Sequence, residues 1–197
     1  MSVPSNTTPA DFFERWIPGE FTRARNAGVT APEVTFESHL TGDGGGTWTL
    51  RVTGGELTVT PGPAASPDLR AEQSVADWRA LWIGEDGAPD VFPRDLDLVT
   101  SLTRSGSTNG IHLLREQRGT LRLAISGFAG RTWSLTLVFQ SAATPAAEVT
   151  VDAATMQDLR FGRIDPVSAF FGGKIQLGGD TAWIMQAGMQ VAASARR

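Results

Sequence analysis

Residue types that commonly carry catalysis are scarce in this chain. It contains two histidines, His39 and His112, and no cysteine. The histidines show neither metal-ligand spacing nor a neighbouring nucleophile, and a chain without cysteine has no thiolate, disulfide or cysteine zinc site. The sequence therefore predicts no catalytic residue, no metal site and no cofactor.

The aspartates favour structural roles. Four of them stand close together in sequence: Asp86, Asp90, Asp95 and Asp97. Glycine and proline interrupt this cluster and the ligand spacing of a calcium loop is absent, so we interpret it as a solvated loop. Asp77 and Asp158 occupy similar places near the starts of two expected helices, where a carboxylate stabilises the positive end of the helix dipole.

Glycine-rich segments do not match phosphate or nucleophile loops. Residues 42–46 (GDGGG) join two expected strands, whereas a dinucleotide fingerprint joins a strand to a helix. Residues 172–174 (GGK) lack the preceding glycine and the following hydroxyl residue of a phosphate loop. Residues 106–110 (GSTNG) place the serine wrongly for a nucleophile elbow. The first segment is interpreted as a hairpin loop and the second as a turn.

The composition excludes some partners and favours apolar contact. The formal net charge is -4 and Lys174 is the only lysine, so an acidic surface argues against a nucleic acid partner. Six Trp and ten Phe occur without any Tyr. No apolar run approaches the roughly 20 residues that span a bilayer, and the first residues lack signal-peptide features. We expect a cytoplasmic protein without stable membrane insertion.

The elements that must position any site begin with a helix. Thr8 is a suitable N-cap, followed by proline in the first turn and an aspartate three residues after the cap. Phe13, Ile17 and Phe21 recur at intervals of four residues. Because Pro18-Gly19 should interrupt this pattern, we predict a helix-break-helix over residues 9–27.

A repeat links the two halves of the chain. Residues 36–50 (FESHLTGDGGGTWTL) and 121–135 (LRLAISGFAGRTWSL) align without a gap, with identical residues at five positions. Central glycines flanked by alternating apolar residues predict a β-hairpin used twice. A third strand (56–60, then 148–152) and a short helix with an N-cap, Ser74 or Asp152, follow each hairpin. We predict an internal duplication; a chance match of two common hairpins is the alternative.

We therefore expect a single domain over residues 8–197, built from two lobes. The N-terminal lobe is a partial repeat with its leading helix (8–92), a connection follows (93–117), and the second lobe completes the chain (118–197).

The last third of the sequence resembles the sterol-carrier-protein, or sterol-binding domain, family. The matching positions are Ala169-Phe170-Phe171, Gly173-Lys174-Ile175, Leu177, Gly179-Asp180 and Met185. The residues also predict a helix capped by Asp165, a strand over 174–177, and a last helix capped by Asp180. That last helix is apolar on most sides and must be buried or face something apolar.

The resemblance implies an α+β fold in which helices cover an antiparallel sheet, here with the hairpin–strand–helix unit duplicated. It also implies binding and transfer of a fatty acid, sterol, acyl ester or similar apolar molecule in an internal tunnel. The wall residues that we expect are Trp133, Leu135, Met156, Leu159, Phe161, Phe170, Trp183, Met185 and Met189.

Two alternatives stay open at this point. The chain could be an enzyme of a bacterial biosynthetic pathway that folds or isomerises an apolar substrate in the same cavity. It could instead be a structural or interaction protein whose halves fill each other's cavities. The sequence gives no oligomeric state.

Overall fold

An eight-stranded β-sheet organises the part of the chain that the structure describes. The structure is a computed structural model that describes residues 3–26, 33–84, 115–128 and 130–194. The strands are β1 (Val34–Thr41), β2 (Gly46–Thr53), β3 (Glu56–Pro61), β4 (Leu69–Ser74), β5 (Gly119–Phe128), β6 (Arg131–Phe139), β7 (Ala146–Asp152) and β8 (Ile175–Gly179). The helices are α1 (Pro9–Asp11), α2 (Ile17–Asn26), α3 (Val75–Trp82), α4 (Ala153–Arg160), α5 (Pro166–Phe171) and α6 (Thr181–Ser194).

The strand order is β3-β2-β1-β4-β6-β5-β7-β8, which confirms a mixed α+β fold with a large sheet and helices. The sheet is not purely antiparallel as expected, because β4 runs parallel to β1 and β7 runs parallel to β5. A parallel neighbour requires a crossover. The crossover between β3 and β4 is held by a hydrogen bond of 2.8 Å from the Ala64 N–H to the buried Glu37 carboxylate.

Alternation along the strands gives the sheet two different faces. On one face, Trp48 and Leu50 of β2 and Trp133 of β6 pack with residues of the helices. We call it the helix-covered face. The opposite face carries polar residues, including Arg122, which forms an ion pair of 3.0 Å with Glu148 on β7.

The N-terminal helical segment is continuous over residues 9–26, so the predicted break at Pro18-Gly19 is wrong. Thr8 is the N-cap as predicted, and its side chain accepts a hydrogen bond from the Asp11 N–H. A π-helical turn (Phe12–Trp16) joins α1 to α2, and the Ile17 N–H bonds to the Phe12 carbonyl. The longer hydrogen-bonded ring of this turn precedes Pro18, which has no N–H to donate.

The same arrangement occurs in both halves: a hairpin, a strand parallel to its first strand, and a capped helix. In the first half these are β1–β2, β4 and α3, and in the second β5–β6, β7 and α4. The predicted match of strand 56–60 with 148–152 is wrong, because the counterpart of β7 is β4. β2 and β6 are the second strands of the two hairpins. The edge of β2 that faces away from its hairpin pairs with β3, and the same edge of β6 pairs with β4.

The gapless alignment also departs from the observed pairing. Trp48 lies opposite Ser38, which the alignment matches with Leu123. Trp133, however, lies opposite Ile125, two residues after Leu123. An even shift leaves every side chain on the same face of the sheet. The pairing in the second hairpin also shifts between Ile125 and Phe128. The duplication stays a prediction, as do the domain boundaries.

The two halves are joined at α3. The Asp77 carboxylate pairs with the Arg131 guanidinium on β6, and the Trp133 indole N–H donates to the Asp77 carbonyl at 2.8 Å. Asp77 is therefore more than a helix-dipole partner. Asp158 lies beyond the first turn of α4 and pairs with Arg163, so its predicted dipole role is wrong; the counterpart of Asp77 in α4 is Thr155.

Candidate functional site

The helix-covered face carries two apolar clusters of different character. The N-terminal cluster contains the buried residues Val3, Phe12, Phe13, Ile17, Leu40, Trp48, Leu50 and Trp78. Phe12 is surrounded by rings: its centroid lies 5.0 Å from that of Trp16 and 5.2 Å from that of Trp78. Phe13 stacks on Trp48 at 4.8 Å. Such edge and stacked contacts fill space efficiently and close this lobe.

The C-terminal cluster holds four of the predicted wall residues. Its buried members are Ala80, Ile125, Phe128, Trp133 and Val151, and the partly buried residues packed on them include Leu135, Met156 and Leu159. Trp133 is 0% exposed and its indole N–H is satisfied by α3. Trp133 thus forms the floor of this cluster, while the other three lie nearer its surface.

A row of half-buried aliphatic side chains runs beside this cluster. Leu135, Leu123, Val149 and Leu177 are successive cross-strand partners over β6, β5, β7 and β8. The row and its half-buried neighbours form what we call the aliphatic strip: Leu121, Leu123, Leu135, Leu137, Val149, Ile175 and Leu177. By contrast, the three apolar side chains that β2 places on this face (Trp48, Leu50 and Val52) are buried.

Fully buried residues lie at both ends of the strip. Trp133, Ile125 and Val151 lie at one end, and Phe139 and Ala147 lie at the other. The middle of the face is therefore apolar but incompletely covered. Apolar surface of this kind gains free energy when a guest removes it from water.

The remaining predicted wall residues lie outside the C-terminal cluster. Trp183 packs edge-on against Phe139, with ring centroids 6.2 Å apart, at the far end of the strip. Phe170 packs against Phe171, which is 81% exposed. Phe161 and Met185 are 54% and 51% exposed. The side chain of Met189 lies outside the described residues.

The last helix is less buried than its composition predicts. Among the side chains described for α6, those of residues 181–187, none is fully buried. Trp183 and Ile184 are half-buried, while Met185 is exposed. An apolar helix at this degree of exposure leaves hydrophobic surface available for contact.

The motif residues of the last third have clear structural roles. Asp165 and Asp180 cap α5 and α6 by accepting hydrogen bonds from the Ser168 and Trp183 N–H groups, as predicted. The Ser168 side chain and N–H hold the pKa of the Asp165 carboxyl below its usual value. Gly179 has a φ of 70°, and a side chain there would meet the Ala146 carbonyl oxygen at 2.3 Å. These residues position β8 and α6.

Sequence reasoning missed much of the aliphatic strip. Leu121, Leu123, Leu137 and Val149 were not among the expected wall residues, nor was Phe139. The available signal was the alternation of apolar residues in 119–128, 131–139 and 146–152, which places every second side chain on one face. The neighbours of β5, however, depend on strand order, which the sequence does not reveal.

The polar candidates do not assemble a reactive site. His39 lies on β1 and its Nδ1 is 2.8 Å from the Thr47 hydroxyl on β2, a cross-strand contact on the polar face. His112 and the acidic cluster over 86–97 lie outside the described residues. Within residues 3–26, 33–84, 115–128 and 130–194, no three His, Asp or Glu side chains are grouped to hold a metal ion.

A concavity lies beside the N-terminal helix and includes Trp16, which packs against the N-terminal cluster. It has a volume of about 380 Å³ and is lined by Pro4, Asn6, Thr7, Asp11, Arg15 and Trp16. Asp11 and Arg15 form an ion pair of 2.9 Å in its wall. Asp11 and Arg15 thus neutralise each other in the wall of a shallow cleft.

Comparison with known proteins points to the lobe that carries the strip. Residues 104–190 match the family model described as the SCP-2 sterol transfer family. The solution structure of the sterol carrier protein domain 2 of Helicoverpa armigera is similar, with 19% identity and a TM-score of 0.34. That match covers 52% of this chain and 81% of the other. No curated protein matches the sequence.

No helix in the described part of the chain is long and apolar enough to cross a membrane. The resemblance inferred from the last third of the sequence is confirmed: the C-terminal half of this chain, residues 104–190, matches the SCP-2 sterol transfer family.

Proposed function

We propose that this chain binds a lipid-like apolar small molecule on the aliphatic strip, between the sheet and the helices α4, α5 and α6. The observation that carries the proposal is the half-burial of seven aliphatic side chains on the helix-covered face of β5, β6, β7 and β8. A guest that covers them gains roughly 25 cal/mol for each Å² of apolar surface removed from water. Few polar anchors are needed for affinity of this origin.

The family match supports the same proposal. The matched family is named for sterol transfer, and residues 104–190 include all seven residues of the strip. Transfer of the bound molecule therefore belongs to the proposal. Its chemical class is a fatty acid, sterol, acyl ester or similar molecule.

The expected wall residues divide into a floor, the walls above it and a rim. Trp133 is the floor, and Leu135, Met156 and Leu159 are the walls directly above it, since all four share one apolar cluster. We assign Phe161, Phe170, Trp183 and Met185 to the rim, and Met189 remains part of the proposal. An exposed Met side chain adapts to irregular apolar guests at low cost.

The proposal is tested by comparing the ligand affinities of two variants, each with one leucine changed on an edge strand of the sheet. Leu177 on β8 and Leu57 on β3 lie on opposite edge strands of the sheet, both half-buried and both on the helix-covered face. Leu177→Gln should weaken binding of a fluorescent long-chain fatty acid about tenfold, because it places an amide in the apolar site. Leu57→Gln should leave the affinity within about twofold.

Each contrary outcome has a distinct meaning. Equal weakening by both variants would show that the strip is not the site. Absence of binding to fatty-acid and sterol probes alike would contradict the proposal and leave a closed structural core. Turnover of a bound probe would favour the enzymatic alternative.

A further inference from the structure

Two buried polar atoms at the start of α3 have no hydrogen-bond partner among the described residues. They are the indole Nε1 of Trp78 on α3 and the side-chain Oε1 of Gln73, the residue before the N-cap of α3. Trp78 is 0% exposed. A buried donor and a buried acceptor without partners are unfavourable, and native structures seldom retain them without a reason.

These two residues occupy the two positions of a hydrophobic staple. Gln73 precedes the N-cap Ser74 and Trp78 is the fourth helical residue, and side chains at these two positions pack against each other in the hydrophobic staple. In α4 the corresponding pair is Val151 and Met156, and both belong to the C-terminal cluster. In α3 the first apolar residue of the pair is replaced by glutamine.

Gln73 lies beside the aliphatic strip. Ala71 on β4 pairs with Leu137 on β6, so two residues further on Gln73 lies next to Leu135 on the same face. On its other side Gln73 pairs with Leu40 of the N-terminal cluster. Two residues after Trp78, Ala80 enters the C-terminal cluster. The pair therefore stands where the two apolar clusters meet.

We propose that Gln73 and Trp78 anchor a hydroxyl group at one end of the apolar guest. A hydroxyl accepts a hydrogen bond from the Trp78 N–H and donates one to the Gln73 Oε1, which satisfies both atoms. An alkane satisfies neither, and a carboxylate has no proton for the glutamine oxygen. The ligand class is an apolar molecule with a terminal alcohol. This proposal rests on the proposed function of the strip.

Three probes of one chain length separate the two hydrogen bonds. 1-Dodecanol can make both, its methyl ether can only accept, and dodecane can make neither. Calorimetric titration of the full chain should give affinities that fall in that order, with about a fivefold step for each hydrogen bond lost. Gln73→Leu should abolish the difference between alcohol and ether, whereas Trp78→Phe should weaken both about equally.

The control is Trp16→Phe, which removes an indole N–H at the other side of the N-terminal cluster and should leave the three affinities unchanged. Equal affinity of the unmodified protein for the three probes would overturn the anchor while leaving apolar binding intact. Alcohol affinity unchanged in Gln73→Leu would assign the pair to a buried water only. Failure to bind any probe would overturn the function and the anchor together. The probe comparison needs no variant, so it stands even if Trp78→Phe does not fold.

Discussion

The two lobes share an arrangement of hairpin, parallel strand and capped helix, yet they use their helix-covered faces differently. In the first lobe, Phe12 and Trp78 interlock with further rings and are 1% and 0% exposed. In the second, the strands present an aliphatic strip that stays half-buried, and Phe171 is 81% exposed. One arrangement can therefore give a closed aromatic core or an open apolar surface, depending on which side chains the helices bring.

The same contrast appears at the start of α3 and of α4. Val151 and Met156 complete an apolar contact in the second lobe, whereas Gln73 and Trp78 leave two polar atoms unpaired at the junction. Gln73 lies next to Leu135 of the strip, whereas Trp78 is a buried member of the N-terminal cluster, so the polar pair spans the boundary between the two clusters. This placement links the junction between the lobes to the proposed binding face.

Two phenylalanines give the largest expected contrast. Phe12→Ala should lower the free energy of unfolding by about 3–5 kcal/mol, because it opens a cavity among packed rings. Phe171→Ala should change it by less than about 0.5 kcal/mol, because the side chain is already in water. Urea denaturation of both variants measures the difference. A loss above 2 kcal/mol in Phe171→Ala would mean that the second lobe is closed there.

The next largest loss of stability is expected at the Asp77–Arg131 ion pair, which joins the two lobes. Arg131→Ala should cost about 2–3 kcal/mol, because it leaves the buried Asp77 carboxylate without its ionic partner. Arg163→Ala removes a more exposed ion pair with Asp158 and should cost less than about 1 kcal/mol. Thermal unfolding compares the two. Similar costs would show that Asp77 finds another partner and that the lobes do not depend on this contact.

The two helix caps give a smaller effect that depends on pH. Ser74→Ala and Asp152→Ala should each cost about 1 kcal/mol at neutral pH, because each removes the acceptor for an N–H group in the first turn. Hydrogen bonds from the Thr155 hydroxyl and N–H lower the pKa of the Asp152 carboxyl below 3.8. Its contribution is therefore present above that value and lost as the pH falls through the lowered pKa.

The pH series sharpens the comparison of α3 with α4. Between pH 7 and about pH 3 the difference in stability between the unmodified protein and Asp152→Ala should shrink. The difference for Ser74→Ala should stay constant, since serine does not titrate in this range. Parallel behaviour of the two variants would contradict the assignment of Asp152 as an ionised cap.

Local signals predicted the pieces of the fold well. The caps Thr8, Ser74, Asp152, Asp165 and Asp180, the hairpin loop over 42–46 and the turn over 172–174 follow from residue types at fixed spacing. The break at Pro18 was wrong because a π-helical turn before the proline preserves the helix. Proline indicates a missing donor, but not how the chain compensates for it.

The order of the strands in the sheet could not be predicted from the sequence. Much of the candidate site could not be predicted either, because it depends on that order. The sequence placed the strand after each hairpin by order alone, so β3 was taken as the counterpart of β7 although β4 has that role. The strip likewise forms only because β5 lies between β6 and β7. Non-local pairing decides which alternating residues meet, and alternation itself does not encode it.

The central claim is that the second lobe is an open binding surface, and native mass spectrometry tests it most directly. The protein purified from its expression host is weighed intact, and anything bound is extracted with solvent and identified. The account predicts a stoichiometric apolar molecule, or uptake of an added fatty acid or sterol to one equivalent, and loss of either in Leu177→Gln. A bare mass that no such probe changes would contradict it.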